Sequence, residues 1–376
     1  MSLQNFDVEG FLRNDWQRRP VLIRQALPDF VCPVNGDDLA GMACEEDIDS
    51  RLIIQDGSNW QLESGPFEEA RFATLPPQNW TLLVQSVDHW IEEVAELNQC
   101  FRFLPRWRQQ DIMISYAAPG GNVGPHFDQY DVFLIQGEGQ RRWKIGPHCD
   151  GTTPMQNNPD LRLLCNFDSR AEYLLNPGDI LYIPPGCAHW GIAESDDCIT
   201  LSVGFRAPSQ TEMLQDFAEH LAEQGDSARR YRDPSFNAGQ HCGEIDANAI
   251  NQARQLMASA LEDDNTLANW FGRLMTHRPP EAEPAELNET EFYKTITRQP
   301  LVLALTARLA FHGKVLFADG ESDTLPASYQ DGLQAFCRLE PGSDVPVHIL
   351  PQELLYRLYE RGTLLVAEQT GDDDQG

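Results

Sequence analysis

The chain lacks three things: a long apolar run, a basic amino-terminal leader, and positive charge. No stretch approaches 18 uncharged apolar residues, and the first ten residues, Met1-Ser-Leu-Gln-Asn-Phe-Asp-Val-Glu-Gly, hold neither a basic segment nor an apolar one. Membrane spanning and secretion are therefore not expected, and a cytoplasmic protein is. Lys and Arg number 28 against 58 Asp and Glu, a net charge of −30 at pH 7. Direct nucleic-acid binding is excluded, because it needs a basic footprint. The nine cysteines contain no C-x-x-C pair and no regular spacing, which suits ordinary thiols in a reducing compartment. The glycines of Gly120-Gly121-Asn122-Val123-Gly124 do not make G-x-G-x-x-G, so this stretch reads as a backbone turn rather than a phosphate cradle. There is no internal repeat.

What is present points to a folded, multi-domain protein. A length of 376 residues allows two or three domains, and 41% hydrophobic residues with eight Trp and eighteen Phe supply a core. The acidity has two readings: solubility, including in a salty cytosol, or attraction of a basic partner such as a ribosomal protein.

Residues 6–31 read as a helix followed by a strand, with Phe6, Phe11 and Trp16 among polar spacers. Strands are expected at 51–54 and 80–84, with an amphipathic helix near 86–103. From 111 to 206 the pattern is short strands (111–116, 131–136, 141–145, 180–183, 199–205) separated by Gly, Pro and Asn turns, as in a jelly roll of the cupin type. The composition changes at Ala207-Pro208. Ser209 with Glu212 makes a capping box for a helix to about Gln224, and residues 245–276 are apolar at helical spacing. Such a helical pair packs on its own domain or forms a subunit interface. Residues 278–290 read as a linker, and 291–370 alternate short helices and strands as a winged-helix-like domain would. That last domain is not expected to bind DNA, since residues 291–376 hold seven Lys and Arg against thirteen Asp and Glu. The stretch from Asp372 onward reads as a frayed acidic tail.

The chemistry centres on residues 119–145. A Gly-rich turn ends at Pro125 and delivers His126 and Asp128, which an extended strand would point to one face. A third ligand comes from His189, at the end of Pro177-Gly-Asp-Ile-Leu-Tyr-Ile-Pro-Pro-Gly-Cys-Ala-His189. Two histidines and one carboxylate form the facial triad that leaves coordination positions open and suits non-haem Fe(II) with O2. The other seven histidines lack such context and read as surface or core residues.

Gly-Pro-His-Phe-Asp-Gln-Tyr-Asp-Val-Phe, Gln136-Gly-x-Gly-x-Arg-Arg-Trp and the Pro-Gly-Asp run resemble the Jumonji-C 2-oxoglutarate oxygenases. Among them the chain looks most like the bacterial ribosomal oxygenases, which hydroxylate an arginine of large-subunit ribosomal protein sixteen. Trp16-Gln-Arg-Arg-Pro-Val-Leu-Ile-Arg is similar to that family's amino-terminal motif. The resemblance implies an α+β architecture: a double-stranded β-helix (cupin, jelly-roll) catalytic domain over 1–207, a helical dimerisation region over 208–278, and an acidic winged-helix-like domain over 279–376. It implies Fe(II) on His126, Asp128 and His189, with 2-oxoglutarate as cosubstrate and O2 as oxidant.

Arg141 stands where this class places the cation that holds the distal carboxylate of 2-oxoglutarate. Strand alternation puts it on a face with Trp143 and Ile145, and leaves Arg142 and Lys144 on a solvated one. Ser115 and Thr200 are further candidates for cosubstrate hydrogen bonds, although the family pattern carries an asparagine around Thr200. The family's contacts to the substrate arginine map onto Asp111, Tyr130 and Ser202. The expected enzyme is a protein arginine hydroxylase acting on a basic ribosomal protein at the arginine β-carbon, working as a homodimer. A Jumonji-type N-methyl demethylase and a non-catalytic metal-binding cupin are the alternatives, and a buried anchor for a second carboxylate argues against the latter.

Overall fold

The computed structural model describes residues 3–158, 161–224, 229–234, 243–278 and 287–367. The chain divides into two compact units, Met1–Ala207 with Glu340–Gly342, and Pro208–Leu339 with Ser343–Gly376.

In the first unit the strands are β1 (Val21–Ile23), β2 (Ser50–Asp56), β3 (Asn59–Ser64), β4 (Trp80–Val84), β5 (Gln109–Ala117), β6 (Asp131–Glu138), β7 (Arg141–His148), β8 (Ala171–Leu175), β9 (Ile180–Ile183), β10 (Cys187–Ala193) and β11 (Cys198–Phe205). They form an eight-stranded sheet ordered β1-β9-β6-β11-β5-β4-β2-β3 and a three-stranded sheet ordered β10-β7-β8. Every pairing is antiparallel. The two sheets enclose the double-stranded β-helix that the strand pattern implied.

Period-two alternation decides what the larger sheet shows to each side. Ile112, Ile114, Phe133, Ile135, Ile199, Leu201, Val203 and Phe205 face outward and join Phe11, Phe101 and Tyr182 in the main core. The intervening Val132 and Leu134 face inward and pack with Trp143, Ile145 and Leu175 of the smaller sheet. The inward members of β5 and β11, which include Met113, Ser115, Thr200 and Ser202, line a cavity instead of filling it. A cavity wall is thus written on the same strands as the core.

Helix α1 (Val8–Asn14) begins at an Asp7 cap and lays Phe11 into the core, edge-on to Tyr182. The other helices of this unit are short: α2 (Gly36–Met42), α3 (Glu69–Phe72) and α4 (Glu92–Ala95). The amphipathic helix expected near 86–103 is broken into 3-10 turns at Val87–His89 and Glu96–Phe101 around α4. Ser86 sits in the left-handed region at φ 53, and the Asp88 carboxylate leaves the helix register to accept from the Ile112 amide at 2.7 Å. Tertiary bonding to β5 overrides the local pattern there. Strands β3, β8 and β10 had no clear signal in the sequence.

The second unit holds α5 (Gln210–Glu223), α6 (Ala247–Ser259), α7 (Asp264–Thr276), α8 (Glu289–Thr295), α9 (Gln330–Phe336) and α10 (Gln352–Glu360), with β12 (Leu301–Leu303), β13 (Leu309–His312), β14 (Val315–Ala318), β15 (Glu321–Thr324) and β16 (Leu364–Val366). The Ser209–Glu212 capping box opens α5 as its spacing indicates. Helix α7 belongs with the strands that follow it: a Cβ at Gly272 would lie 2.4 Å from the Phe317 ring of β14. No residue of α6 is buried. Most of the 278–290 linker and the tail from Asp372 lie outside the described residues.

One polar cluster fastens the amino-terminal segment to the sheet. The fully buried Asp131 carboxylate accepts from Tyr182 Oη at 2.7 Å, Gln17 Nε2 at 3.0 Å and Arg108 Nη2 at 3.2 Å. Removing one side of a buried charged pair leaves the other without compensation. Asp131→Ala is expected to lower unfolding stability by about 3 kcal/mol in urea denaturation followed by tryptophan fluorescence. A loss within about 0.5 kcal/mol, the range of an ordinary surface change, would contradict this role.

Candidate metal centre and its cavity

His126 and His189 meet by their backbones before they meet by their rings. His126 N–H donates to the His189 carbonyl at 3.1 Å and His189 N–H returns a bond of 2.8 Å to the His126 carbonyl. Among the described residues this isolated bridge is the only strand-like pairing of His126, and β6 starts later, at Asp131. As the sequence pattern indicates, His126 and Asp128 follow the Gly-rich turn and precede the strand that begins at Asp131. Between them Phe127 packs with Met155 and Phe167 against Cys149, Leu164 and Ala188. His189 lies within β10, just past a register shift between Cys187 and His189 against β7.

Each ring is tethered two residues back along its own chain. His126 Nδ1 lies 2.9 Å from the Gly124 carbonyl, and His189 Nδ1 lies 2.9 Å from the Cys187 carbonyl. A carbonyl only accepts, so Nδ1 carries the proton in both rings and Nε2 presents its lone pair. Asp128 Oδ2 stands 3.5 Å from His189 Nε2. One ligand atom from each of the three residues falls within 4.8 Å of the others. Burial pushes the His189 imidazole down to about 4, helped by the neighbouring His126 ring, so it is neutral and free to ligate at pH 7. Two imidazole nitrogens and a carboxylate on one side of a cavity can bind a divalent transition ion and leave its other face open.

The cavity beside these ligands measures about 560 Å³. Arg141 enters it from β7, 3% exposed and over the Trp143 ring at 5.9 Å, with Nε and Nη2 lacking a hydrogen-bond partner among the described residues. Those two donors share one edge of the guanidinium, the edge that grips a carboxylate by two parallel bonds. A cation with one edge turned into a cavity is well placed to meet an anion there. Ser115 and Thr200 face each other across β5 and β11 and line the same space. Both hydroxyls make only long contacts, Ser115 Oγ at 3.4 Å to the Thr200 carbonyl and Thr200 Oγ1 at 3.4 Å to Gln136 Oε1. The donor set therefore fits a dicarboxylate that chelates an ion at one end and meets Arg141 at the other. Arg142, on the opposite face of β7, pairs with Glu194 at 2.6 Å, as a solvated residue does.

Asp111, Tyr130 and Ser202 line an adjoining pocket of about 290 Å³ with Met113, Gly204 and Phe205. Asp111 is 7% exposed, and its Oδ2 accepts from Gln85 Nε2 at 2.5 Å and Ser86 Oγ at 2.9 Å. Sequence reasoning missed both donors, which sit where β4 ends and carry no motif. They leave Oδ1 toward Gly204, where an added Cβ would approach it to 3.7 Å. Tyr130, 43% exposed, lines both pockets.

Residues 96–213 match the JmjC domain family. The chain is 37% identical over 327 residues to the ribosomal protein uL16 3-hydroxylase of Escherichia coli strain K12, covering 84% of this chain and 85% of that one. It is 35% identical to a probable ribosomal oxygenase of Haemophilus influenzae, over 80% of this chain and 69% of the relative. Among solved structures it is similar to YcfD, a ribosomal oxygenase from Escherichia coli in complex with cobalt and 2-oxoglutarate, at TM-score 0.86 and 32% identity, covering 98% and 99% of the two chains. With that identity sustained across both sequences and the triad inside the matched domain, the chain belongs to the JmjC ribosomal oxygenases.

Proposed function

We propose that this protein is an Fe(II)- and 2-oxoglutarate-dependent hydroxylase of the β-carbon of an arginine in ribosomal protein uL16. The observation that carries the reading is Arg141: a buried guanidinium with one open edge, in the same cavity as two histidines and a carboxylate. A metal-binding cupin without a cosubstrate has no use for such an edge. The curated relative's uL16 3-hydroxylase activity favours hydroxylation over demethylation.

In this reading His126 Nε2, Asp128 and His189 Nε2 hold the iron, and Arg141 holds the far carboxylate of 2-oxoglutarate, with Ser115 and Thr200 beside it. Iron with 2-oxoglutarate and O2 supplies the oxidation: one oxygen atom enters the substrate C–H bond, the other enters succinate, and CO2 leaves. The protein's part is placement. Asp111, Tyr130 and Ser202 receive the guanidinium of the substrate, which leaves the carbons nearer its backbone toward the metal. Gln85 and Ser86 keep the Asp111 carboxylate turned to the pocket. A net charge of −30 attracts a basic ribosomal protein. The cytoplasm is the proposed site of action, alongside a ribosomal substrate; among the described residues no helix is long and apolar enough to cross a membrane. The decisive experiment incubates the protein with Fe(II), 2-oxoglutarate and a uL16 fragment; an O2-dependent gain of one oxygen atom on arginine is expected, and its absence overturns the reading.

The two ends of the cavity separate kinetically. Arg141→Ala should raise the 2-oxoglutarate KM with and without peptide present. Asp111→Ala should spare peptide-free turnover of 2-oxoglutarate while lowering kcat/KM for the peptide by roughly 30- to 5,000-fold, the range for breaking a buried charged contact. Asp111→Ala crippling peptide-free turnover would place that residue with the metal instead.

The second unit is proposed to pair two copies of the chain. Ile250, Met257 and Leu261 stand 51%, 72% and 46% exposed, at spacings of seven and four that put them on one side of α6 and its carboxyl end. A helix with no buried residue and an apolar stripe needs a cover. Light scattering at micromolar concentration should give a dimer, and Met257→Asp should shift it toward monomer.

A further inference from the structure

We propose that Asn122 is the positioning residue of the metal centre: its amide ties the turn that sets His126 to the strand that carries His189. The inference rests on the assignment of a metal to His126, Asp128 and His189.

Asn122 is the middle of the Gly-Gly-Asn-Val-Gly turn, 3% exposed, and its side chain makes four hydrogen bonds. Oδ1 accepts from Gly124 N at 3.0 Å and from Trp190 Nε1 at 2.9 Å. Nδ2 donates to Gln55 Oε1 at 2.8 Å and to the Gly120 carbonyl at 2.8 Å. A primary amide has two donors and two lone pairs, so this one is saturated.

Both partners of Oδ1 adjoin a ligand. Gly124, held in the left-handed region at φ 80, is the residue whose carbonyl fixes the His126 Nδ1 proton. A side chain there would strain the backbone and drive a Cβ to 2.5 Å from Leu163. Trp190 follows His189 in β10, and its indole is held in turn by the edge of Phe167 and by the Lys144 ammonium 5.2 Å above the ring. One oxygen atom thus joins the segment before the first histidine to the residue after the last. The backbone bridge between His126 and His189 fixes their separation; Asn122 fixes the orientation of the turn feeding that bridge. Groups that orient metal ligands typically contribute 10- to 100-fold in metal affinity.

Metal binding itself provides the test. Co(II) titrated into the metal-free full-length protein, followed by its visible absorption, gives a Kd and a band shape that reports ligand geometry. Asn122→Ala should bind Co(II) about 10- to 100-fold more weakly than wild type with an altered band shape. A merely structural asparagine would lower the melting temperature of the metal-free protein yet leave the Kd and spectrum of its folded fraction unchanged; that result overturns the proposal. If Asn122→Ala does not fold, Trp190→Phe removes only the indole bond: a several-fold weaker Kd supports the proposal, and an unchanged one overturns it. His126→Ala is the reference. If it binds Co(II) like wild type, the triad assignment has failed and this inference falls with it; if it loses Co(II) while Asn122→Ala and Trp190→Phe both keep it, only the inference falls.

Discussion

The centre depends on two backbone hydrogen bonds, His126 N–H to the His189 carbonyl and the reverse. The segment before β6 also meets β10 where Gly120 and Gly121 exchange backbone bonds with Ala193, but among the described residues this bridge is the one pairing of His126 itself. The Ala193 bonds and the Asn122 amide hold the two pieces of chain together, and the bridge sets the distance between the imidazoles. With them, two tethered rings and one carboxylate converge on one side of the cavity. The cavity exists because the inward positions of β5 and β11 carry Ser115, Thr200 and Ser202 where the outward positions carry Ile and Val. Pairing sets the ligands, and alternation sets the space beside them.

Much of this was legible in the chain. His126, Asp128 and His189 are readable because a ligand set combines rare residue types with turn chemistry, and Arg141 because alternation with Trp143 and Ile145 assigns its face. The jelly roll is readable from β-branched runs punctuated by Gly and Pro. Other features left no trace of that kind. Gln85 and Ser86 reach Asp111 only because β4 and β5 pair, a contact over some 25 residues that no local pattern encodes. Residues 171–175, Ala-Glu-Tyr-Leu-Leu, hold no β-branched side chain, and become β8 only by pairing with β7. The pattern at 86–103 is helical in composition, yet the Asp88 bond to Ile112 breaks it. Local propensity loses wherever a buried polar group must find a partner elsewhere.

The acidity is unevenly used. Some carboxylates are structural: Asp131 fastens the amino-terminal segment, and Asp7, Asp246 and Asp263 cap helices. Asp128 faces the ligands and Asp111 the adjoining pocket. Most others lie on the surface, where their fields add at long range and are screened by salt. Charge on that scale governs solubility and encounter, whereas recognition falls to the few carboxylates held in place by partners.

The open edge of Arg141 has a thermodynamic consequence. Arg141 is buried and turns its Nε and Nη2 edge into the cavity. A carboxylate that closes this edge binds the folded chain and has no counterpart in the unfolded one, so occupancy and folding are linked. At one hundred times its Kd, such a ligand adds about 2.7 kcal/mol to the unfolding free energy. On the proposed assignment of Arg141 to 2-oxoglutarate, the cosubstrate that supports turnover also raises the stability of the fold that binds it.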